Sequence, residues 1–231
     1  MGFITRKLAS YPRISKAYRI TKKVLLYLFI FQLVYTLLLI FMPVYTTPTI
    51  IGQWLGGKTI YKEWTSLNHI SETAQRAVIA KEDQDFEEHL GFDLDEIEEA
   101  VEHNKSHKNK RGASTITQQV AKNVFLWQGR TWLRKGLEVY CTLVIELFWS
   151  KKRILEVYLN IAEMGNGIFG IEAAAQKFFG KSAAKLNNEE SALIAASLSN
   201  PNIFKVDAPS EKMLKKQRWI VRQMKNVEWE R

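Results

Sequence analysis

Cysteine is nearly absent from this sequence, which has Cys141 as its single example among 231 residues. One thiol cannot close a disulfide within the chain, and it cannot build an iron–sulfur cluster or a cysteine-ligated metal site. Apolar residues make up 46% of the chain and charged residues 25%, a composition that excludes intrinsic disorder. The length suits one medium-sized domain with appendages.

Acidic residues are missing from positions 1–23, which contain seven basic ones: Arg6, Lys7, Arg13, Lys16, Arg19, Lys22 and Lys23. The whole chain has a formal net charge of +9, so this short segment accounts for most of the excess. The other residues carry a net charge of about +2 and form no domain-wide basic field of the kind that binds nucleic acids. The charge distribution therefore excludes a nucleic acid partner.

Charged residues are also missing from positions 24–57. The stretch VLLYLFIFQLVYTLLLIFM (24–42) has 19 residues and is interrupted only by Gln32 and Thr36. At about 1.5 Å per residue, a helix of that length nearly matches the roughly 30 Å hydrocarbon core of a bilayer. A cleaved signal peptide has a shorter apolar region and a small-residue cleavage site, which is not found around Pro43. The pattern predicts a retained transmembrane helix at 24–43, with a buried core helix as the alternative.

The basic residues before this span decide its predicted orientation. Positively charged flanks stay in the cytoplasm, and the 14 residues after position 43 carry no charge. Residues 1–23 are therefore predicted to be a basic cytoplasmic segment. Residues 44–231 are predicted to form one extracytoplasmic domain.

This domain has the periodicity of a mainly helical fold. Capping residues and apolar spacing predict seven helices, at 71–91, from about 114, and at 131–149, 150–162, 170–178, 187–198 and 210–226. A polar segment at 103–114 and a turn at 165–167 separate some of them. Strand-like alternation is confined to residues 58–64.

An acidic motif, EDQDFEEHLG (82–91), closes the first of these helices. On a helix, Glu82, Phe86 and His89 follow one another at i, i+4 and i+7 and lie on one face. The carboxylate of Glu82 would then meet apolar surroundings, which favour the protonated form and suit general acid or base catalysis. The alternative is a solvated acidic helix end with a hydrogen-bonded histidine.

A second motif, GASTITQQVAKN (112–123), predicts an amphipathic helix. Gly112 and Ser114 leave backbone N–H groups free at its start, where anions bind. Its polar stripe, which could hold sugars and phosphates, comprises Thr115, Gln118, Gln119 and Lys122. An ordinary helix with a polar outer face is the alternative.

Two further motifs are charged. In the first, Arg134 and Glu138 are i, i+4 neighbours, with Arg130 four residues earlier, so they form either a structural ion pair or a carboxylate beside cations that neutralise a phosphate. In the second, KKRILEVYLN (151–160), the apolar residues form a stripe that packing into a core explains.

In this order and spacing, the motifs resemble those of the peptidoglycan glycosyltransferases, family 51 of the glycosyltransferases. The shared patterns are E-D-x-x-F-x-x-H-x-G, G-A-S-T-I-T-Q-Q-x-x-K-N, R-K-x-x-E and K-x-x-I-L-E-x-Y-L-N. The resemblance runs from about Gly56 to beyond Pro201. Phe178 stands where a tyrosine is common, and Ser199 lies in a stretch that is often more apolar. With one membrane span and no penicillin-binding domain, the chain resembles monofunctional members of that family.

The resemblance implies a lysozyme-like, two-lobed, mainly helical fold and a processive enzyme that joins lipid II units into glycan strands. Glu82 corresponds to the base that deprotonates the acceptor GlcNAc 4-hydroxyl. That oxygen attacks C1 of the donor MurNAc with inversion, forms a β-1,4 bond and releases undecaprenyl diphosphate. Glu138 corresponds to a second acidic residue that orients cations near the diphosphate. The other residues that the resemblance assigns to substrate binding are Asp83, Phe86, His89, Ser114, Thr115, Gln118, Gln119, Lys122, Asn123, Arg130, Arg134 and Lys135.

The resemblance also implies partners and a location. It requires no organic cofactor, assigns no metal ligands, and leaves open a divalent cation, Mg²⁺ or Mn²⁺, near the diphosphate. The implied partners are lipid II, the undecaprenyl-diphosphate-linked glycan, the lipid bilayer, and cell-wall synthesis or division proteins. The implied location is the inner membrane, with the catalytic domain in the periplasm. A lysozyme-like murein hydrolase or lytic transglycosylase is the nearest alternative, and an inactive cell-wall scaffold is the other.

Overall fold

The computed structural model describes residues 12–107 and 111–229. The chain divides into two compact units, with the boundary between residues 42 and 43. The mainly helical prediction is confirmed, because the described residues form ten α-helices and three short strands. The helices are α1 (Pro12–Leu38), α2 (Pro48–Leu55), α3 (Glu72–Glu82), α4 (Leu94–Ser106), α5 (Ile116–Phe125), α6 (Trp132–Phe148), α7 (Lys151–Ile161), α8 (Ile171–Phe179), α9 (Asn188–Ser197) and α10 (Glu211–Gln223). The strands are β1 (Tyr61–Lys62), β2 (Glu163–Gly165) and β3 (Ile168–Phe169).

The first unit contains one long helix, α1, whose bounds differ from those predicted for the span. It begins at Pro12, within the basic segment, and it ends at Leu38, after which residues 39–42 form a turn. Because Pro43 has no N–H and disfavours helical geometry in the residue before it, the helix ends before the end of the apolar run. The portion Lys16–Leu38 is long and apolar enough to cross a membrane. The basic residues Arg6 and Lys7 lie outside the described residues.

The second unit contains α3, which is shorter than its sequence pattern predicted. Ser71 caps its first turn by accepting the backbone N–H of Ala74, as expected, but the helix ends at Glu82 rather than near Gly91. Residues 83–91 instead form turns that end at Gly91, where φ is +83° and a Cβ atom would lie 2.7 Å from Thr142 Cγ2. The predicted helical face of Glu82, Phe86 and His89 is therefore wrong.

The helices of the second unit include two groups that pack together. Helix α3 packs against α9 and α10, whereas α5 packs against α6 and α7. Helix α4 lies between α3 and α5 in sequence and extends to Ser106, so the predicted polar loop at 103–114 begins as helix. Residues 108–110 of that loop lie outside the described residues.

A small sheet accompanies the helices. The predicted turn at 165–167 joins β2 to β3 in an antiparallel hairpin, and β1, from the alternating segment, pairs with β3 in parallel. Gly167 is required in this turn because its φ is +73° and a Cβ atom would lie 2.3 Å from the carbonyl oxygen of Thr59.

Candidate active site

Glu82 is the last residue of α3, and it lies between two hydrogen-bond donors. Its Oε1 accepts a bond from Lys81 Nζ at 3.0 Å, and its Oε2 accepts one from Gln119 Nε2 at 2.8 Å. The side chain is 12% exposed, so solvent still reaches it. These polar contacts correct the expected apolar surroundings. Phe86, which was expected to supply them, is fully buried beneath Lys151.

The next residue, Asp83, holds this segment against the start of α5. Its Oδ1 accepts a hydrogen bond from His89 Nε2 at 2.7 Å, and its Oδ2 accepts one from the backbone N–H of Ile116 at 2.8 Å. Burial lowers the pKa of His89, but the hydrogen bond and the charge of Asp83 outweigh burial, so that the pKa is raised. Asp83, His89 and Phe86 thus contact one another within the fold, and they stabilise the segment that follows Glu82.

The predicted polar stripe of α5 divides into two sets. Thr115 and Gln118 form a capping box, in which Gln118 Oε1 accepts the N–H of Thr115 and Thr115 Oγ1 accepts the N–H of Gln118. The Thr115 hydroxyl also donates to Gly91 O at 2.7 Å. Both side chains are buried, because capping the helix start uses their polar atoms. Gln119 and Lys122 line a cavity instead, together with Asn123, which is not part of the predicted stripe.

A cluster of cations lies farther along α5 and α6. Glu138 is buried, its Oε2 accepts Arg134 Nη1 at 2.6 Å, and its Oε1 accepts Lys135 Nζ at 2.6 Å. Arg134 Nε also donates to Gly129 O at 2.7 Å, which fixes the guanidinium. Arg130 is exposed in the loop before α6.

Lys122 connects this cluster to Glu82. Burial lowers the pKa of Lys122; the charges of Glu138 and Glu82 raise it, and those of Arg134 and Lys135 lower it further. Lys122 therefore lies within electrostatic reach of both glutamates.

Two cavities adjoin this site. One, of about 520 Å³, has Glu82, Ser114 and the cations Lys81, Arg111 and Lys216 in its lining, together with more numerous acidic side chains: Asp83, Asp85, Asp93, Asp95, Glu96 and Glu99. The other, of about 190 Å³, is lined by Gln119, Lys122, Asn123 and Glu163 among others, so its charges balance. Because Gln119 is bonded to Glu82, the carboxylate lies where the acidic cavity meets the smaller one.

Lys216 is a cleft residue that sequence reasoning missed. It lies on α10, and its Nζ donates to Ser199 Oγ. Burial lowers its pKa to about 8, the charges of Lys81 and Lys212 act in the same direction, and that of Glu82 opposes them. The sequence around it showed only a basic helix, so no local signal distinguished Lys216 from its solvated neighbours.

No metal ligand set accompanies these residues in the part of the chain that the structure describes. Groups of three or more His, Cys, Asp or Glu side chains with suitable placement are not found within 12–107 and 111–229. Glu138, the acidic residue nearest the expected diphosphate, has both carboxylate oxygens paired with cations.

Helix α6 exposes a large apolar surface on the side opposite to Arg134 and Glu138. Trp132 is 93% exposed, Leu147 is 74% exposed, and Leu133 and Leu143 are also exposed. Leu90 and Leu94, both exposed, line a cavity with Leu143 and extend this surface. We call these six residues the apolar face.

Comparison with known proteins gives a consistent result. A profile of the family described as Transglycosylase matches residues 48–225, which include every residue of the cleft. A protein from Haemophilus influenzae is 55% identical over 207 residues, covering 85% of this chain and 84% of that protein. A protein from Escherichia coli is 57% identical over 178 residues, covering 75% of this chain and 74% of that protein. Both relatives are named biosynthetic peptidoglycan transglycosylase.

Proposed function

The chain belongs to the transglycosylase family, and from that membership we propose how its cleft polymerises lipid II into the glycan strands of peptidoglycan. The observation that carries the proposal is the position of Glu82 at the junction of the two cavities, with Lys122 in electrostatic reach. The lysozyme-like, mainly helical fold expected from the sequence agrees with this membership. The relatives are named as biosynthetic enzymes, which favours synthesis over the murein hydrolase alternative.

In the proposed reaction Glu82 is the general base. Its carboxylate takes the proton from the 4-hydroxyl of the acceptor GlcNAc, while that oxygen forms a bond to C1 of the donor MurNAc. The bond from C1 to the diphosphate oxygen breaks with inversion, which yields the β-1,4 linkage and free undecaprenyl diphosphate. A positioned base of this kind contributes on the order of 10²–10⁴-fold to the rate.

The cation cluster is proposed to hold the leaving diphosphate. A diphosphate is already a stable anion, so it needs positive charge rather than a general acid. Lys122, Arg134 and Lys135 supply that charge, with Arg130 at the rim. Glu138 is assigned the role of orienting Arg134 and Lys135, to which its two oxygens are bonded.

The acceptor sugar is assigned to the larger, acidic cavity, because the donor's diphosphate, which is bonded to the reacting C1, is repelled from that side. Lys216 is then a cation on the acceptor side, where Lys81 and Arg111 line the same cavity, and Lys122 lies on the donor side. Its Nζ can donate to an acceptor hydroxyl or amide oxygen near Glu82.

We expect activity to fall as Lys216 loses its proton. Because its pKa is about 8, the kcat/KM of the wild type should decline about tenfold above that pH, the loss expected for one charged hydrogen bond. Lys216→Arg keeps its charge at every accessible pH, so its decline should move to higher pH. Initial polymerisation rates between pH 6 and 10 test this, with the exposed Lys215→Arg as a control. Identical alkaline limbs in wild type and Lys216→Arg would contradict the assignment.

We propose that the chain is anchored by α1 in the inner membrane, with residues 1–23 in the cytoplasm and residues 44–231 in the periplasm. The basic flank before the span supports this orientation. The apolar face supports a second contact between the catalytic domain and the bilayer, since soluble surfaces rarely expose contiguous apolar patches of this extent. An enzyme held at the bilayer meets its lipid-linked substrates by two-dimensional diffusion, which raises their effective concentration.

Polar substitution of the apolar face should reduce activity only at a bilayer. In proteoliposomes, the double variant Trp132→Ser/Leu147→Ser should polymerise lipid II at least about tenfold more slowly, because burial of each side chain in lipid contributes about 1.5–3 kcal/mol. In detergent, its rate should match the wild type. Ile203→Ser, at another exposed apolar residue, is the control. Equal losses in both media would argue against the bilayer contact.

Labelled lipid II distinguishes the remaining alternatives. The detergent-solubilised chain should convert it into a ladder of glycan polymers. Shortening of preformed strands instead would indicate a hydrolase or lytic transglycosylase, and no change in either substrate would indicate a scaffold.

A further inference from the structure

A buried phenol is connected to the proposed base through one amide. Tyr158, on α7, is 1% exposed, and its hydroxyl donates to Gln119 Oε1 at 3.2 Å. Gln119 Nε2 in turn donates to Glu82 Oε2 at 2.8 Å. We propose that Tyr158 is a positioning residue that fixes the amide orientation of Gln119 and thereby keeps Glu82 ready to accept a proton. This inference rests on the proposed role of Glu82.

Tyr158 can fix the amide because it remains a donor. Burial, together with the charges of Glu82 and Asp83, raises the pKa of Tyr158 well above its ordinary value. The phenol therefore keeps its proton throughout the working pH range. The buried phenol proton needs an acceptor, and the amide oxygen of Gln119 supplies it, so the NH₂ group faces Glu82.

The orientation of the amide decides which form of Glu82 it stabilises. An NH₂ group donates to the carboxylate but offers nothing to a carboxyl O–H, so it favours the form that can act as a base. The reversed amide would present its oxygen, accept a bond from the protonated carboxyl and favour the inactive form. Without the phenol hydroxyl, only the long bond of 3.4 Å from Gln119 Nε2 to Ser114 O opposes that reversal when Glu82 is protonated.

The charged groups around Glu82 are the same in both states of the amide. They are Lys81, Asp83 and Asp85 from its own segment, Lys122 from α5 and Lys216 from α10, with further charged residues in the lining of the acidic cavity: Asp93, Asp95, Glu96, Glu99 and Arg111. Helix α9, which also packs on α3, carries its acidic residues Glu189 and Glu190 in its first turn, and Glu190 is paired with Lys181. Removal of one neutral hydroxyl changes none of these charges, so any shift can be attributed to the hydrogen-bond chain.

The test is Tyr158→Phe, which keeps the buried ring. The pH midpoint for protonation of Glu82, followed by carboxyl ¹³C NMR and assigned with Glu82→Gln, should rise by about 0.5–1 pH unit, the value of one hydrogen bond. The acidic limb of kcat/KM should move by the same amount, while rates at pH 8 should stay within about twofold of the wild type. An unchanged midpoint, or an equal loss of rate at every pH, would overturn the proposal.

A second variant keeps the test decisive if the phenylalanine is poorly tolerated. Gln119→Leu removes the middle of the chain and should raise the midpoint similarly, and adding Tyr158→Phe to it should then have no further effect. Additive shifts of the midpoint would refute the proposed hydrogen-bond chain. Tyr61→Phe removes a phenol hydroxyl elsewhere, and it should leave the midpoint unchanged. The NMR midpoint needs no turnover, so failure of this inference is distinguishable from failure of Glu82 as the base, which only activity of Glu82→Gln would reveal.

Discussion

Glu82→Gln should reduce polymerisation of lipid II by on the order of 10²–10⁴-fold, because the amide cannot take the proton of the acceptor hydroxyl. The substitution preserves the size of the side chain at a position that is only 12% exposed, so the cleft should keep its shape. The measurement is the initial rate of polymer formation from labelled lipid II in detergent.

Two comparisons make this result specific. Glu87→Gln neutralises an exposed carboxylate of the same segment and should retain wild-type activity. Circular dichroism and the melting temperature should show that Glu82→Gln remains folded. Substantial activity in a folded Glu82→Gln variant would exclude Glu82 as the base.

Lys122→Met should reduce kcat by about 10²–10³-fold, the loss expected when one preorganised donor to developing negative charge is removed. Methionine retains the apolar stem, which is half-buried, but it removes the cation that lies within reach of both Glu82 and Glu138. Binding of undecaprenyl diphosphate as a competitive inhibitor should weaken in parallel, because the same charge holds the product.

Lys122→Arg and Lys152→Met are the matched variants. Lys122→Arg keeps the charge and should recover part of the activity, and Lys152→Met removes an exposed lysine of α7 and should have no effect. If Lys122→Met lowered kcat while inhibition by undecaprenyl diphosphate stayed at the wild-type level, the assignment of Lys122 to the diphosphate would be wrong.

Much of the fold was predictable because its signals are local. Ser71 and Asn187 cap helices that begin where the sequence indicated, and the predicted glycine-flanked turn forms at 165–167, where it joins two strands that were not predicted. The end of α3 was missed, since it depends on Asp83 bonding to His89 and to the N–H of Ile116. Such a contact between distant segments leaves no trace in local periodicity.

The same distinction between local signals and contacts of distant segments applies to the candidate site. Glu82, Glu138 and Lys122 were predicted as site residues because their motifs have fixed spacing, and Lys122 lies within electrostatic reach of both glutamates. Gln118 was predicted to bind substrate because helical geometry puts it on the polar stripe, but the capping box occupies its amide oxygen. Lys216 could not be predicted, because only the packing of α10 against α3 places it in the cleft.

Glu138 carries one negative charge beside the two positive charges of Arg134 and Lys135. It accepts a hydrogen bond of 2.6 Å from each of them. A polymerase must release its lipid carrier, undecaprenyl diphosphate, after every addition, because an occupied donor position blocks the next cycle. A fully cationic pocket would retain that by-product. With the diphosphate held by Arg134 and Lys135 as proposed, the partial neutralisation by Glu138 favours rapid exit of the carrier and continuous strand elongation over the tightest possible binding.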